Sequence, residues 1–297
     1  MIAVKLFGGL GNQLFQYALG RSLSILHHQP LYLDTVSGFL DDFYQRNYQL
    51  NIFKIKANTL NTKQIKYFQR HQSPLGRKDK VFNYLDSCLG KSPHFVHEKH
   101  YHFDPMILSE NINSNTYFSG YWQSEKYFDK VSKQIREDLT FARTISEKNK
   151  LIAQKIQESN TVCLHIRALH GISAGQKNNE GIKFHGMMTN HYYQEIINYI
   201  AERQENLHFF VFADNFDWVR ENLQLEFPFT LMEGNTTEED LQLMSLCKHQ
   251  LIPNSTFSWW AAWLNTNPHK IVVAPNDWFA DKTVNTQDIY PLSWIRM

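Results

Sequence analysis

The chain has almost no charge imbalance: 30 Lys and Arg stand against 29 Asp and Glu, leaving a formal +1. That excludes the broad basic footprint of a nucleic-acid-binding protein. Cysteine is scarce, and the three present (Cys88, Cys163 and Cys247) are odd in number and widely separated. Cys163 and Cys247 lie inside apolar runs, so buried thiols in a reducing compartment are expected rather than a disulfide framework. Long hydrophobic runs are missing too. The nearest, Trp259 to Leu264, falls far short of the roughly 18 apolar residues of a membrane span. The start, MIAVKLFGGLGNQ, passes from a strand-like run straight into glycines, without the apolar stretch and small-residue cleavage site of a signal peptide. A cytoplasmic protein is expected, which would reach a lipid-borne substrate only by peripheral contact with a membrane. There is no internal repeat, no low-complexity tract, no GxSxG of a hydrolase, no HExxH and no P-loop.

Aromatic residues, by contrast, are abundant: 21 Phe, 14 Tyr and 7 Trp in 297 residues that are 42% hydrophobic. Such a chain supports a real core, and its length accommodates two ordinary domains. The first half opens as strand, glycine turn and helix: IAVKLF, GGLGN, then QLFQYALGRSLSILHH, in which Leu14, Tyr17, Ala18, Arg21 and Ile25 mark one helical stripe. PLYLDT reads as the next strand, residues 55–115 as polar and irregular with helical stretches such as TKQIKYFQRH, and SEKYFDKVSKQIREDL as one helix capped by Ser124. From about residue 147, helices alternate with TVCLHIR, HFFVFAD, FTLME, QLIPNS and KIVVAP, the pattern of a parallel, doubly wound sheet. The pattern changes between residues 140 and 160, and the expected domains are 1–150 and 151–297.

Four stretches carry polar groups that could do chemistry. In TVCLHIRALHGISAGQ an apolar strand ends abruptly at Arg167 and gives way to loop residues. Ligands of open α/β sheets bind outside the carboxyl ends of the strands, where such a guanidinium would sit. The turn FGGLGNQ brings backbone N–H groups and a helix N-terminus to one place, either as a tight turn only or as an anion cradle. NSTFSWWAAWLN offers the hydroxyls of Ser255, Thr256 and Ser258 at another helix start, suited to a phosphate and equally to a helix cap. In FVFADNFDW, Asp214 ends a strand, where a carboxylate accepts from paired N–H groups such as the guanine edge; a cap by Asp214 or Asn215 is the plainer reading. The cluster His94, His97, His100 and His102 invites a metal, but no cysteine or zinc-motif context accompanies it, and no metal site is assigned.

Together, GGLGNQLFQYALGRSL, GYWQSEKYF, CLHIR, HYYQEI, VFADNFDW, DLQLMSLCKHQLIPNSTFSWWAAWLN and VVAPNDWF resemble the bacterial α-1,2-fucosyltransferases of glycosyltransferase family 11, nearly end to end and in order. The resemblance implies a GT-B-like α/β architecture of two Rossmann-like lobes facing across a cleft, with the acceptor on the N-terminal lobe and the donor on the C-terminal one. It implies an inverting, metal-independent transfer of fucose from GDP-fucose to the 2-hydroxyl of a terminal galactose. The acceptor would be an oligosaccharide such as lactose or a lipopolysaccharide or O-antigen unit, and no cofactor is needed beyond the donor substrate. Alternatives are another nucleotide-sugar donor on the same fold, or a weakly active or non-catalytic glycan-binding homologue.

The resemblance also distributes roles. Arg167 would bind the donor diphosphate and His165 would help seat the nucleotide. Asp214 would read guanine, and Ser255, Thr256 and Ser258 would cradle phosphate. Asn12 and Gln13, with the backbone of Gly9 and Gly11, would close over diphosphate and fucose. The family's His-Ile-Arg-Arg-Gly-Asp departs here to Ala168, Leu169 and His170 after Arg167, so the second arginine and the acid are gone. Inverting transfer calls for a base at the acceptor hydroxyl, unless the leaving phosphate or water serves. Between Arg167 and Glu195 the only carboxylate is Glu180. An acid on this loop is held to be the base in related core-glycan fucosyltransferases, which puts Glu180 first, with His170 and His185 behind it.

Overall fold

A computed structural model describes residues 1–109, 112, 115–168 and 184–297. The chain divides into two compact units, Met1–Ala142 with Gln287–Ile289, and Arg143–Thr286 with Tyr290–Met297. The sequence pattern drew its line at residue 150. The contact boundary lies earlier because the helix Glu147–Glu158 belongs to the second unit's sheet.

In the first unit, β1 (Ile2–Lys5) is followed by α1 (Leu10–Leu26), β2 (Leu31–Asp34), β3 (Asn58–Thr59), α2 (Thr62–Gln72), α3 (Arg77–Cys88), β4 (His94–His97), β5 (Thr116–Ser119) and α4 (Ser132–Asp138). The five strands are parallel in the order β3-β2-β1-β5-β4. Central β1 is covered on both faces, as its unbroken apolar run requires. Val4 lies beneath α1, and Ala3 joins Tyr117 in a cluster with Leu60, Ile65 and Phe68 from the α2 side.

Three local expectations change. α1 begins at Leu10, three residues before the expected start, so Gly11 and Asn12 are helical rather than turn residues. The stretch after Ser124 is not one helix. Two single 3₁₀ turns (Glu125–Tyr127 and Asp129–Val131) precede the short α4, because the neighbouring Tyr127 and Phe128 are both driven into the core. The His-rich stretch begins as a strand, β4, its backbone paired to β5 along its whole length.

The second unit runs α5 (Glu147–Glu158), β6 (Asn160–Ile166), α6 (Asn190–Ala201), β7 (Leu207–Ala213), α7 (Phe216–Asn222), β8 (Phe229–Leu231), α8 (Thr237–Leu246), β9 (His249–Leu251), α9 (Thr256–Leu264), β10 (Val272–Ala274) and β11 (Ile295–Arg296). All six strands are parallel in the order β8-β7-β6-β9-β10-β11. Counted from β6 this is 3-2-1-4-5-6, the Rossmann order. Both units are parallel-sheet α/β domains, as expected for the GT-B-like class. Val162, Leu164 and Ile166 pack against Tyr193, Ile196, Ile197 and Ile200 of α6. Alternation sends Cys163 and His165 to the other face, where the buried Cys163 and Cys247 thiols are hydrogen-bonded and unoxidised. Trp259, Trp260 and Trp263 are core residues.

Candidate functional site at the sheet switch points

The second sheet starts in its middle. The chain lays down β6, β7 and β8 to one side, then returns past β6 for β9 and β10 on the other. The crevice outside the carboxyl ends of β6 and β9 is therefore its topological switch point, where ligands of open α/β sheets bind. Three groups meet there. β6 runs two residues beyond its last partner on β9, Leu164 opposite Leu251, and so carries His165 and Ile166 forward, with Arg167 immediately after. β9 leads through Asn254 into α9.

Arg167 is held from two sides. Its backbone N–H donates to the Tyr193 hydroxyl at 3.0 Å, and its Nε lies 3.2 Å from Oδ2 of Asp214 at the end of β7. The other Asp214 oxygen accepts from the Ala168 N–H at 2.8 Å. Both oxygens of this carboxylate thus face the end of β6. The carboxylate expected to read guanine fixes the Arg167 side chain in this structure. Asn215, the other candidate cap, accepts from the Trp218 N–H at 3.0 Å and starts α7. Arg167 keeps partial exposure, so Nη1 and Nη2 of its guanidinium can meet an anion from solvent.

His165 is 5% exposed. Its ring meets Phe257, in the first turn of α9, edge-on at 6.0 Å. Its Nδ1 has no hydrogen-bond partner among the described residues. Burial, with the neighbouring Arg167 charge, pulls its pKa down to about 3, so the ring is neutral at physiological pH.

The start of α9 sorts the three hydroxyls. Ser258 is fully buried and its Oγ donates to the Ser255 carbonyl at 3.2 Å, inside the helix, so it does not face a ligand. Ser255 occupies the cap position without making a side-chain cap bond, and Thr256 follows at the first helical position, partly exposed. The first-turn amides of a helix have no intrahelical partner, and the dipole favours an anion there. Sequence reasoning missed Asn254. Its amide donates to the carbonyls of His185 (2.7 Å) and Trp278 (3.1 Å), pinning the turn ahead of α9. The signal was available in its place between a strand and a hydroxyl-rich helix start. His185 is exposed, and its ring packs on Phe279 at 5.5 Å. His170 and Glu180 lie outside the described residues.

The first sheet has a matching point between β1 and β5. Gly8 takes φ +75°, and a Cβ there would come within 2.7 Å of Asn12 Nδ2, so only glycine fits. Gly9 caps α1 with no side-chain bond. Asn12 Oδ1 accepts from Gln123, beyond β5, at 3.1 Å, bridging the two strand ends. Gln13 departs from expectation. It is fully buried, its amide nitrogen donates to the carbonyls of Gly8 (3.0 Å) and Asn47 (2.9 Å), and its oxygen accepts from the Gln49 N–H at 2.9 Å. It clamps the glycine turn from behind instead of reaching a ligand.

At the carboxyl ends of β4 and β5 lies a cavity of about 210 Å³ lined by His94, His97, Glu98, His100, Trp122 and Tyr127, among others. The Glu98 carboxylate accepts from the backbone N–H groups of Tyr121 (2.6 Å) and Trp122 (2.9 Å), and burial raises its pKa. Gly120 allows this close approach, since a Cβ there would sit 2.4 Å from Glu98 Cβ. Trp122 adopts φ +57°, and its indole N–H has no partner among the described residues. Among the described residues no group of three His, Cys, Asp or Glu side chains is placed to hold a metal ion.

The model of glycosyl transferase family 11 matches residues 97–297. The chain belongs to that family. It is 33% identical over 302 residues to an alpha-1,2-colitosyltransferase of Escherichia coli, covering 100% of this chain and 99% of that protein. It is likewise 33% identical over 315 residues to the O-antigen biosynthesis glycosyltransferase WbnK of Escherichia coli, covering 98% and 99%. Galactoside alpha-(1,2)-fucosyltransferase 1 of Aotus azarae is 24% identical over 157 residues, covering 49% of this chain and 42% of that protein. Among solved structures, NodZ alpha-1,6-fucosyltransferase soaked with GDP-fucose superposes with a TM-score of 0.51 at 12% identity, over 89% of this chain and 92% of that one. That likeness is one of fold.

Proposed function

We propose that this family 11 glycosyltransferase is an inverting α-1,2-fucosyltransferase. It carries fucose from GDP-fucose to the 2-hydroxyl of a terminal galactose in an oligosaccharide or surface glycan. The observation that carries the donor half is the corner at the second sheet's switch point: Arg167 braced by Asp214, the neutral His165 with its unpartnered Nδ1, and the uncapped start of α9. This set of groups suits a nucleoside diphosphate. Arg167 and the amides at Thr256 and Phe257 face the diphosphate, whose charge grows as the bond to the anomeric carbon breaks. His165 offers a nitrogen to the nucleotide without adding charge.

The first unit takes the acceptor in this reading. The glycine-rich start of its α1 offers the backbone amides of Gly9 and Gly11, and its cavity combines aromatic faces with the Glu98 carboxylate, a pairing that suits a sugar ring and its hydroxyls. The acceptor hydroxyl attacks from the face opposite the leaving GDP and gives its proton to a base, for which Glu180 stands first and His170 next. No step requires a metal ion.

A second reading differs in the sugar. The full-length likeness to a protein named as a colitosyltransferase favours colitose in place of fucose. One experiment separates them: the protein is incubated with lactose and either GDP-fucose or GDP-colitose, each with and without EDTA. Fucosyl-lactose formed in both EDTA arms supports the first reading. Turnover with GDP-colitose alone establishes the second, and tight GDP binding without transfer from either donor leaves a glycan-binding homologue.

A further inference from the structure

Helix α3 is inside out. In an ordinary surface helix the apolar stripe faces the core and the polar face meets water. At 100° per residue, Val81, Phe82, Leu85 and Leu89 of RKDKVFNYLDSCL fall on one side, and Asp79, Asn83 and Asp86 on the other. It is chiefly the polar side that the protein holds, the Arg70 guanidinium also lying over the Phe82 ring at 5.5 Å. Arg70 of α2 donates to Asn83 Oδ1 at 3.1 Å and is paired with Asp86, Asn83 donates back to the Arg70 carbonyl at 2.9 Å, and His71 meets Asp86 at 3.0 Å. No residue of α3 is buried. Val81, Phe82, Tyr84, Leu85 and Leu89 are between 48% and 69% exposed, and Leu75 just ahead of them is 95% exposed. Scattered exposed apolar residues are ordinary, whereas six of them grouped on one short helix and its flanks are a surface waiting for a partner.

The charge pattern identifies that partner. Residues 62–91 hold seven Lys and Arg against two Asp, a local excess of five positive charges in a chain whose total is +1. Arg77, Lys78 and Lys80 crowd the first turn of α3, where the helix dipole disfavours cations. Both acids are turned away: Asp79 accepts from the Leu75 N–H at 2.9 Å, and Asp86 is held by Arg70 and His71. An apolar face edged by lysine and arginine suits the boundary between acyl chains and anionic headgroups. No helix among the described residues is long and apolar enough to cross a membrane.

We propose that α3 is a docking face by which the protein lies on a membrane rich in anionic lipid. The proposal goes beyond the transfer reaction and stands or falls apart from it. The test is co-sedimentation of the full chain with vesicles of equal parts phosphatidylglycerol and phosphatidylcholine, and with vesicles of phosphatidylcholine alone. Binding to the anionic vesicles, weakened by salt and absent from the neutral ones, is expected. The exposed pair Leu85→Glu/Leu89→Glu, and separately Lys78→Glu/Lys80→Glu, should each weaken it about tenfold or more. Unchanged circular dichroism and melting temperature exclude misfolding as the cause. Failure of the wild-type chain to sediment with anionic vesicles overturns the proposal, as does binding that neither pair weakens. So does a dimer in light scattering that Leu85→Glu/Leu89→Glu dissociates, which would make a second copy the occupant of this face.

Discussion

Arg167 and Asp214 end neighbouring strands and face each other, Nε to Oδ2, across 3.2 Å. The carboxylate thereby fixes the Nε edge of a partly exposed guanidinium, which distinguishes a held arginine from a mobile surface one.

If Asp214 acts through Arg167, the two substitutions will not add. Arg167→Ala should cost about 3–4 kcal/mol of transition-state stabilisation, by analogy with losing one oxyanion donor. Asp214→Asn should lower kcat about tenfold to a hundredfold with little change in GDP affinity. In the Arg167→Ala background the same change should cost almost nothing. The double-mutant cycle is read in kcat and in GDP affinity by calorimetry. A loss of GDP affinity on Asp214→Asn that persists in the Arg167→Ala background would return Asp214 to the nucleotide base.

His165 supplies a pH dependence whose sign follows from its burial. Its folded pKa, about 3, lies below the ordinary 6.5, so protons bind the unfolded chain preferentially between these values. Its contribution to stability is complete above pH 6.5, falls as pH drops, and is exhausted below about 3. Between pH 7 and pH 5 the loss is about 2 kcal/mol. Thermal melts at the two pH values should show it, and His165→Gln should remove most of that difference. An imidazole that titrates by NMR between pH 5 and 8 would contradict the buried neutral assignment.

The hydroxyls at α9 should separate by their bonds. Ser258→Ala removes only an internal bond and should leave GDP affinity unchanged, whereas Ser255→Ala with Thr256→Ala should weaken it several-fold. Gln13→Leu should leave the Gly8 and Asn47 carbonyls and the Gln49 N–H unpaired, lowering stability by about 3 kcal/mol. Titration calorimetry and urea melts check these outcomes. A Ser258→Ala variant with tenfold weaker GDP binding would put the hydroxyl back at the phosphate.

Much of this was legible in the sequence, for physical reasons. Strands buried on both faces read as apolar runs, so β6, β7 and β10 stood out. β4 was missed because HFVH is an edge strand with both imidazoles exposed, and it carries no apolar signature. α3 was missed because its apolar stripe answers to solvent rather than to the core. The site was legible as a set of strand ends and helix starts. Its wiring was not, because the bond from Ala168 to Asp214 spans 46 residues and depends on β6 lying beside β7. Nor could composition reveal that Gln13 faces inward while Asn12 bridges to Gln123.

The proposed base is Glu180, with His170 and His185 behind it, and the pH–rate profile separates the carboxylate from an imidazole. Transfer with inversion needs the acceptor proton removed as the new bond forms, so the base must be unprotonated at the working pH. A carboxylate gives a rising limb near its own pKa, about 4.3 or higher if closure excludes water, while an imidazole gives one near 6.5. His165 contributes nothing to a limb in that region, being neutral throughout. Glu180→Gln should therefore abolish transfer, retain GDP-fucose binding and leave the melting temperature unchanged, with the wild-type limb below pH 6. If His170→Ala is the variant that fails and the limb sits near 6.5, the imidazole is the base. That would explain how a chain with Ala168, Leu169 and His170 after its arginine transfers sugar without the acid usual in its family.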